Sequence, residues 1–133
     1  MSVAVTDTHA LIWFALGPSR RLGRHARALF ERAERRQATI FVPVLVLVEL
    51  SEAIRRGTVR CEAGFSRWSA ELLASGGFIA ADLTKDAVFE AERLYGISER
   101  GDRLIAATAA ALGCPLITSD SQMTRHAGVT TIW

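Results

Sequence analysis

Short apolar segments alternate with helical segments along this 133-residue chain, and the alternation limits the folds that it can adopt. The strand segments are short and largely apolar, which is typical of strands buried on both faces. They span residues 3–6, 39–42, 78–83, 115–118 and 130–133. Strands separated by helices favour a central parallel sheet covered on both sides. We therefore predict an α/β fold, a three-layer α/β/α sandwich, in which residues 1–133 form one domain.

The segments between the predicted strands have the periodicity and the end signals of helices. In residues 22–33, apolar side chains recur at helical spacing and arginines occupy the opposite face. Pro43 suits the first position of a helix that reaches Arg56, and Thr84 suits the cap of a helix whose apolar face includes Tyr95. The predicted helices span residues 8–16, 22–33, 43–56, 62–74, 85–95 and 102–112, and residues 119–121 form a turn or a cap.

Two aspartates directly follow predicted strands. Asp7 comes after the first strand and Asp120 after the fourth, with Thr118 two residues before it. The carboxyl ends of parallel strands are where ligands bind in such sheets, so both acids are candidate site residues. Aspartate is also common as a turn former or a helix N-cap, which is the structural alternative for each of them.

Two further acids lie on predicted helices. Glu49 follows the apolar segment 44–48, so a buried helix turn would hold its carboxylate, and a buried carboxylate is costly without a cation. The alternative is a glutamate at the rim or paired with an arginine. Asp102 follows Gly101 at the start of a helix, where it is either the N-cap of residues 103–112 or a site residue ionised by the helix dipole.

Four carboxylates brought to one pocket would repel one another unless a divalent cation lay between them. A site of carboxylate oxygens favours Mg²⁺ or Mn²⁺ over zinc, and such ions retain water and bind phosphates. The chemistry that this arrangement suits is hydrolysis of a phosphodiester. The three histidines and two cysteines are scattered, with no zinc-ligand spacing and no histidine placed as a general base.

The chain resembles the PIN domain and, more narrowly, the VapC toxins of bacterial type II toxin–antitoxin pairs. The segments that carry the resemblance are DTHALIW at 7–13, VLVEL at 46–50, DRLIAATA at 102–109 and LITSD at 116–120. Residues 131–133 are also similar to the closing strand of that branch. The resemblance covers the whole chain in order. One departure is the polar stretch 98–101. Many relatives have a more apolar segment at this place, directly before the acid that corresponds to Asp102.

The resemblance implies a Mg²⁺-dependent endoribonuclease, with Mn²⁺ as a substitute, that cuts transfer, ribosomal or messenger RNA. It implies that Asp7, Glu49 and Asp102 hold the metal directly or through water. Asp120 would complete the site or orient the attacking water, and Thr118 would supply a hydroxyl beside it. An ordinary strand threonine is the alternative for Thr118. The resemblance also implies a homodimer and a VapB-like antitoxin that covers the active site and alone binds operator DNA.

The charge is uneven, and its basic part offers a docking surface. Residues 20–67 carry eleven arginines against five acids, although the whole chain has a net charge of only +2. The Arg-rich face of residues 20–36, with Arg55 and Arg56, can contact antitoxin or RNA phosphates, or it is a solvated helix face. His9 can touch substrate, although a local hydrogen bond is more typical. The aromatic residues Trp13, Phe14, Phe30 and Phe41 are expected in the core or a dimer interface.

Other functions fit the sequence less well. Receiver domains have an acidic doublet and a later lysine, and haloacid-dehalogenase-type phosphatases have Asp-x-Asp, whereas Asp7 is followed by Thr8 and His9. A catalytically inert PIN-fold binding module is the alternative to the nuclease, and metal-dependent cleavage would separate the two. The N-terminus has no signal-peptide shape and no segment is long and apolar enough for a bilayer, so we expect a cytoplasmic protein without a membrane partner.

Overall fold

The computed structural model describes residues 2–133, along which strands and helices alternate. The strands are β1 (Ser2–Thr6), β2 (Ala38–Pro43), β3 (Phe78–Ala81), β4 (Leu116–Ile117) and β5 (Thr131–Ile132). The helices are α1 (Thr8–Ala15), α2 (Arg24–Glu34), α3 (Val44–Arg55), α4 (Phe65–Ala74), α5 (Lys85–Ala91), α6 (Arg100–Leu112) and α7 (Ser121–His126). A turn of 3₁₀ helix, Ser19–Arg21, lies between α1 and α2.

The five strands form one parallel sheet in the order β3-β2-β1-β4-β5. In the central strand β1, the consecutive residues Ala4, Val5 and Thr6 are all fully buried. Consecutive strand residues point to opposite faces, so both faces of the sheet are covered. The prediction of a three-layer α/β/α fold with a parallel sheet is confirmed.

The strand order changes direction at β1, which places a crevice at its carboxyl end. The chain runs from β1 outward to β2 and β3, and then crosses to β4 and β5 on the other side. The backbone N–H of Asp7 donates to the carbonyl of Ile117 at 3.1 Å, which brings the end of β1 beside the end of β4. Such a switch point is where open α/β sheets bind ligands.

Three stacked phenylalanines join the first two helices to the outer part of the sheet. The Phe14 and Phe30 ring centroids are 4.6 Å apart, and those of Phe30 and Phe78 are 6.2 Å apart. Phe30 and Phe78 are almost fully buried, and Phe14 and Phe41 pack against the core. Trp13 also packs against the core while it is half-buried, so all four aromatic residues expected in the core or a dimer interface contact the core.

Several element boundaries differ from the sequence predictions. Pro43 ends β2 rather than opening α3, because β2 still pairs with β3 at this residue. The helix predicted from residue 62 begins at Phe65, and β3 ends at Ala81 rather than at residue 83. Helix α5 ends at Ala91, so the predicted apolar face stops early and Tyr95 is 63% exposed.

Two helix starts near the sheet edge were also missed. Glu99, rather than Asp102, is the N-cap of α6, so the capping alternative for Asp102 is wrong. Residues 121–126 form α7, which was predicted only as a turn or a cap. Among residues 2–133, no helix is long and apolar enough to cross a bilayer.

Candidate active site

Asp7 lies at the carboxyl end of β1 and is both a helix cap and a buried acid. Its Oδ1 accepts a hydrogen bond from the Ala10 N–H at 2.8 Å, which caps α1. The residue is only 7% exposed. Burial raises its pKa above the ordinary value, and a hydrogen bond from Thr118 and the Ala10 N–H partly oppose this shift. Capping and a role in the site are therefore compatible for this residue.

Thr118 and Asp120 bring the end of β4 to Asp7. Thr118 is almost fully buried, and its Oγ1 accepts a hydrogen bond from the Asp120 N–H at 3.1 Å. Asp120 caps α7, since its Oδ1 accepts from the Met123 N–H at 2.9 Å, but its side chain is exposed. The negative charge of Asp120 contributes to the raised pKa of Asp7. Both residues therefore belong to the surroundings of Asp7.

Glu49 reaches the same region from α3. Its Oε1 accepts a hydrogen bond from the Thr8 hydroxyl, which ties α3 to the first residue of α1. Glu49 is half-buried, and the neighbouring Val48 is 49% exposed. The prediction of a fully buried helix turn is therefore wrong, because one side of α3 faces solvent. The partner of Glu49 is a hydroxyl rather than an arginine.

Asp102 lies in the first turn of α6, facing the other acids. Its pKa is raised to about 7 by burial first, and then by the negative charges of Glu99, Asp120, Glu49 and Asp7. Three of the acids selected from the sequence, Asp7, Glu49 and Asp120, thus act on the fourth, Asp102, although they come from three other segments. Their mutual repulsion is the feature that a divalent cation would relieve.

Glu99 is a fifth acid at this edge, and the sequence reasoning did not select it as a site residue. Its carboxylate accepts the Gly101 and Asp102 N–H groups at 2.9 and 2.8 Å. Burial acts to raise the pKa of Glu99, but these hydrogen bonds outweigh burial, and the pKa lies below its ordinary value. The sequence carried little signal for this role, because glutamate is not among the preferred N-cap residues.

The loop before α6 is held by contacts to two helices. Arg103 donates to the carbonyl of Ile97 at 3.0 Å, and its guanidinium lies 4.2 Å from the ring centroid of Tyr95. The Oε1 of Gln122 on α7 accepts from the N–H and hydroxyl of Ser98 at 3.1 and 3.0 Å. These contacts fix Glu99 and Asp102 relative to the start of α7.

A cavity of about 870 Å³ opens beside these acids. Asp7, Glu49 and Asp102 line it, whereas Asp120 and Thr118 lie outside its lining. Its remaining charged lining comprises Glu52, Glu99, Arg21, Arg56 and Arg60. A cavity lined by both acids and arginines suits a ligand that carries phosphates beside a bound cation.

The donor set fits a hydrated divalent cation. Among residues 2–133, no group of three or more histidine, cysteine, aspartate or glutamate side chains is placed to hold a metal ion. The carboxylates are hard oxygen donors, and Mg²⁺ usually takes one or two of them while it keeps several waters. The raised pKa of Asp102 shows that negative charge accumulates where such an ion would sit. The acids therefore fit Mg²⁺ or Mn²⁺ and do not resemble a zinc site.

The sequence profile of the PIN domain family matches residues 4–129. The chain belongs to the PIN domain family. PIN domains are generally nucleases and typically use divalent metals. The resemblance inferred from the sequence motifs is therefore confirmed at the level of the family.

Solved structures of similar fold include toxin–antitoxin complexes. VapBC2 from Rickettsia felis, bound to a DNA fragment from its promoter, matches with a TM-score of 0.70 and 17% identity over 98% of this chain and 97% of that chain. DNA-bound VapBC from Salmonella typhimurium matches with a TM-score of 0.70 and 16% identity over 99% and 98%. VapBC-5 from Mycobacterium tuberculosis matches with a TM-score of 0.59 and 21% identity over 99% and 97%. A comparison with curated proteins finds no match.

Gly101 gives this PIN domain a specific test of the position of Glu49. A Cβ at this buried glycine would overlap Oε2 of Glu49, so Gly101→Ala should push the carboxylate aside. We expect cleavage of RNA to fall at least about tenfold, with the unfolding temperature little changed because alanine favours the helix. A double-mutant cycle with Glu49→Gln checks the cause. If the double variant is much less active than Glu49→Gln alone, the methyl group acts elsewhere.

The metal-free PIN domain should lose stability as the pH rises. Since the folded pKa of Asp102 is about 7 and its unfolded pKa is about 4, the folded state binds more protons between these values. The free energy of unfolding therefore falls across this window and is constant above it. After allowance for solvent screening, we expect Asp102 to contribute about 1 kcal/mol.

Urea unfolding in EDTA at about pH 5 and about pH 8 measures this loss. The free energy of unfolding of Asp102→Asn should depend less on pH than that of the wild type. Asp86→Asn is the matched control, because Asp86 is an exposed acid in the first turn of α5. If the free energy of unfolding changed equally with pH in Asp102→Asn and in the wild type, the loss of stability would not come from Asp102.

Proposed function

We propose that this protein is a metal-dependent endoribonuclease and the toxin of a type II toxin–antitoxin pair, with residues 1–133 forming one PIN domain. The observation that carries the proposal is the convergence of Asp7, Glu49, Asp102 and Asp120 at the switch point of the sheet, where burial, and then the charges of the other acids, raise the pKa of Asp102. Membership of a family of nucleases and the adjoining arginines support RNA as the substrate.

In this proposal, Asp7, Glu49 and Asp102 hold Mg²⁺ or Mn²⁺ directly or through water. A bound Mg²⁺ supplies Lewis acidity that favours ionisation of a water and neutralises the phosphodiester. The carboxylates of Asp7 and Glu49 are held in place by the Ala10 N–H and the Thr8 hydroxyl, so little side-chain entropy is lost when the ion binds. Asp102 gives up its proton at neutral pH once positive charge is present beside it.

Asp120 and Thr118 have supporting roles in the proposed mechanism. The Asp120 carboxylate faces solvent while its backbone is fixed by the Thr118 hydroxyl, so it can accept a proton from, and orient, an attacking water. Thr118 lowers the pKa of Asp7 and thereby favours the ionised form that a metal ligand needs. Hydrolysis then places the water oxygen on phosphorus as the bond to the leaving ribose oxygen breaks.

We infer the partners from the solved structures of similar fold. The structures from Rickettsia felis and Salmonella typhimurium are VapBC proteins bound to DNA, which supports a VapB-like antitoxin that carries operator binding. A homodimer is part of the same proposal. The cytoplasmic location expected from the sequence stays a prediction.

Incubation of purified, antitoxin-free protein with total cellular RNA tests the proposed activity. We expect discrete fragments with Mg²⁺ and with Mn²⁺, and none with EDTA. Absence of cleavage with either metal, from a protein shown to be folded, would favour the inert binding module. Cleavage that persists in EDTA would contradict the metal-dependent mechanism.

A further inference from the structure

We propose that His9 and Trp13 form a stacking site for one unpaired nucleobase of the substrate, beside the carboxylates. This inference rests on the proposed ribonuclease function and specifies its substrate as a single-stranded segment. Both residues line the cavity that contains Asp7, Glu49 and Asp102. A base that has left its stack is the usual target of sequence-dependent RNA recognition, and it stacks on aromatic side chains.

The two rings form one accessible surface on α1. His9 and Trp13 are four residues apart and therefore lie on the same face of the helix, with ring centroids 5.5 Å apart at 41°. His9 is exposed and Trp13 is half-buried, so a planar ligand can reach them. Among residues 2–133, His9 contacts this ring rather than forming the local hydrogen bond expected from the sequence. Trp13 packs against the core, which was one of its two expected places, and also borders the cavity.

Contacts behind Trp13 hold its ring in place. The ring of Trp133 meets it edge-on, with centroids 5.7 Å apart. Trp133 is in turn fixed by close packing against Gly23 and by a contact of 3.1 Å between its carbonyl oxygen and Nδ1 of His25. A ring that is already immobile loses little conformational entropy when a base stacks on it.

Arginines flank the proposed stacking site and suit the phosphates of the same strand. The guanidinium of Arg21 lies 5.9 Å from the ring centroid of Trp13, and Arg60 has no ion-pair partner within residues 2–133. Arg56 pairs only with Glu52, at 3.7 Å and in an exposed position, so that contact is readily exchanged. Cations beside an aromatic surface are the usual features of a single-strand binding channel.

The distance along α1 is compatible with one continuous strand. Trp13 is six residues beyond Asp7, which corresponds to about 9 Å at about 1.5 Å per helical residue. At about 3.4 Å per stacked nucleotide, the stacked base lies within about three nucleotides of the carboxylates. The RNA strand can therefore reach the stacking site and the acids together. The arginines in the cavity lining favour RNA, which carries a phosphate at each nucleotide, as the occupant.

Binding in EDTA tests the stacking site independently of cleavage. The probes are labelled single-stranded oligo(rA), an abasic ribose-phosphate chain of equal length, and the duplex oligo(rA)·oligo(rU), measured by fluorescence anisotropy. We expect oligo(rA) to bind at least about fivefold tighter than the abasic chain or the duplex. His9→Ala and Trp13→Leu should remove most of this preference, and Trp13→Phe should retain it. Trp68→Leu and His126→Ala, outside the cavity, are matched controls, and thermal unfolding verifies that each variant is folded.

The outcomes separate this inference from the proposed function. Cleavage of RNA by a protein that binds the abasic chain as tightly as oligo(rA) would overturn the stacking site and leave the nuclease intact. A base preference that both variants retain would also overturn it. Unchanged RNA affinity together with weaker antitoxin capture by the variants would assign the surface to the antitoxin. Neither binding nor cleavage of any RNA would overturn both proposals.

Discussion

Asp7→Asn is expected to lower RNA cleavage at least about a hundredfold without lowering the stability of the protein. The substitution removes the charge that the proposed cation requires. Asparagine caps helices as well as aspartate does, so the hydrogen bond from the Ala10 N–H can be retained. Burial raises the pKa of Asp7, and a neutral amide therefore removes an unfavourable buried charge. The unfolding temperature in EDTA should remain unchanged or rise.

A second substitution separates the two roles of this residue. Asp7→Ala removes the cap as well as the charge, so it should be about 1 kcal/mol less stable than Asp7→Asn and equally inactive. Initial cleavage rates with Mg²⁺ and urea unfolding in EDTA give the two quantities. Full activity in Asp7→Asn would contradict a metal-holding role. Loss of activity accompanied by unfolding would mean that the residue is only structural.

Gly77→Ala is expected to destabilise the fold by about 3 kcal/mol or more, a far larger loss than a surface substitution causes. Gly77 lies between α4 and β3, where a Cβ would overlap the carbonyl oxygen of Ala33 and lie 2.6 Å from its carbonyl carbon. These are backbone atoms of α2 and cannot rotate away. The carbonyl of Gly77 also accepts from the Ile40 N–H at 2.9 Å, so a shift would disturb the pairing of β2 with β3.

Gly96→Ala is the matched control for this prediction. The added methyl group would meet only the ring of His126, an exposed side chain that can turn aside. Urea unfolding of both variants should show a lower midpoint for Gly77→Ala, with an unchanged slope if the folded state stays compact. Equal midpoints would show that α2 can move away from the sheet at little cost.

The local pattern of the sequence was sufficient to predict the layers of the fold and to place two of the acids at the edge of the sheet. Unbroken apolar strands between amphipathic helices predict a covered parallel sheet, since burial on both faces requires it. Asp7 and Asp120 were identifiable because each directly follows such a strand, and parallel strands end at one edge. Glu49 and Asp102 were candidates from their places on predicted helices, and the family motifs then included all four acids.

The same reasoning was weakest where an interaction joins distant parts of the chain. Glu99 was not selected because its role as the cap of α6 depends on where that helix begins. Trp13 was expected in the core or a dimer interface, and its place beside the cavity was not predicted, because apolar spacing does not show which face of a short helix borders a cavity. The residues around Gly101 do not show that a glycine is needed there. A side chain at this position is unfavourable only because Glu49 packs against it in the folded protein.

Periodicity, capping residues and strand ends act over a few positions, so they can be read from the chain without knowledge of its fold. The hydrogen bond from Thr8 to Glu49 joins residues 41 positions apart, and no local pattern contains it. The raised pKa of Asp102 likewise depends on burial and, besides the neighbouring Glu99, on acids from three other segments. Such distances result from sheet register and helix packing, in which many weak contacts act together. The local segments therefore determine which side chains are available for chemistry. The site itself forms only when the folded sheet brings these segments together.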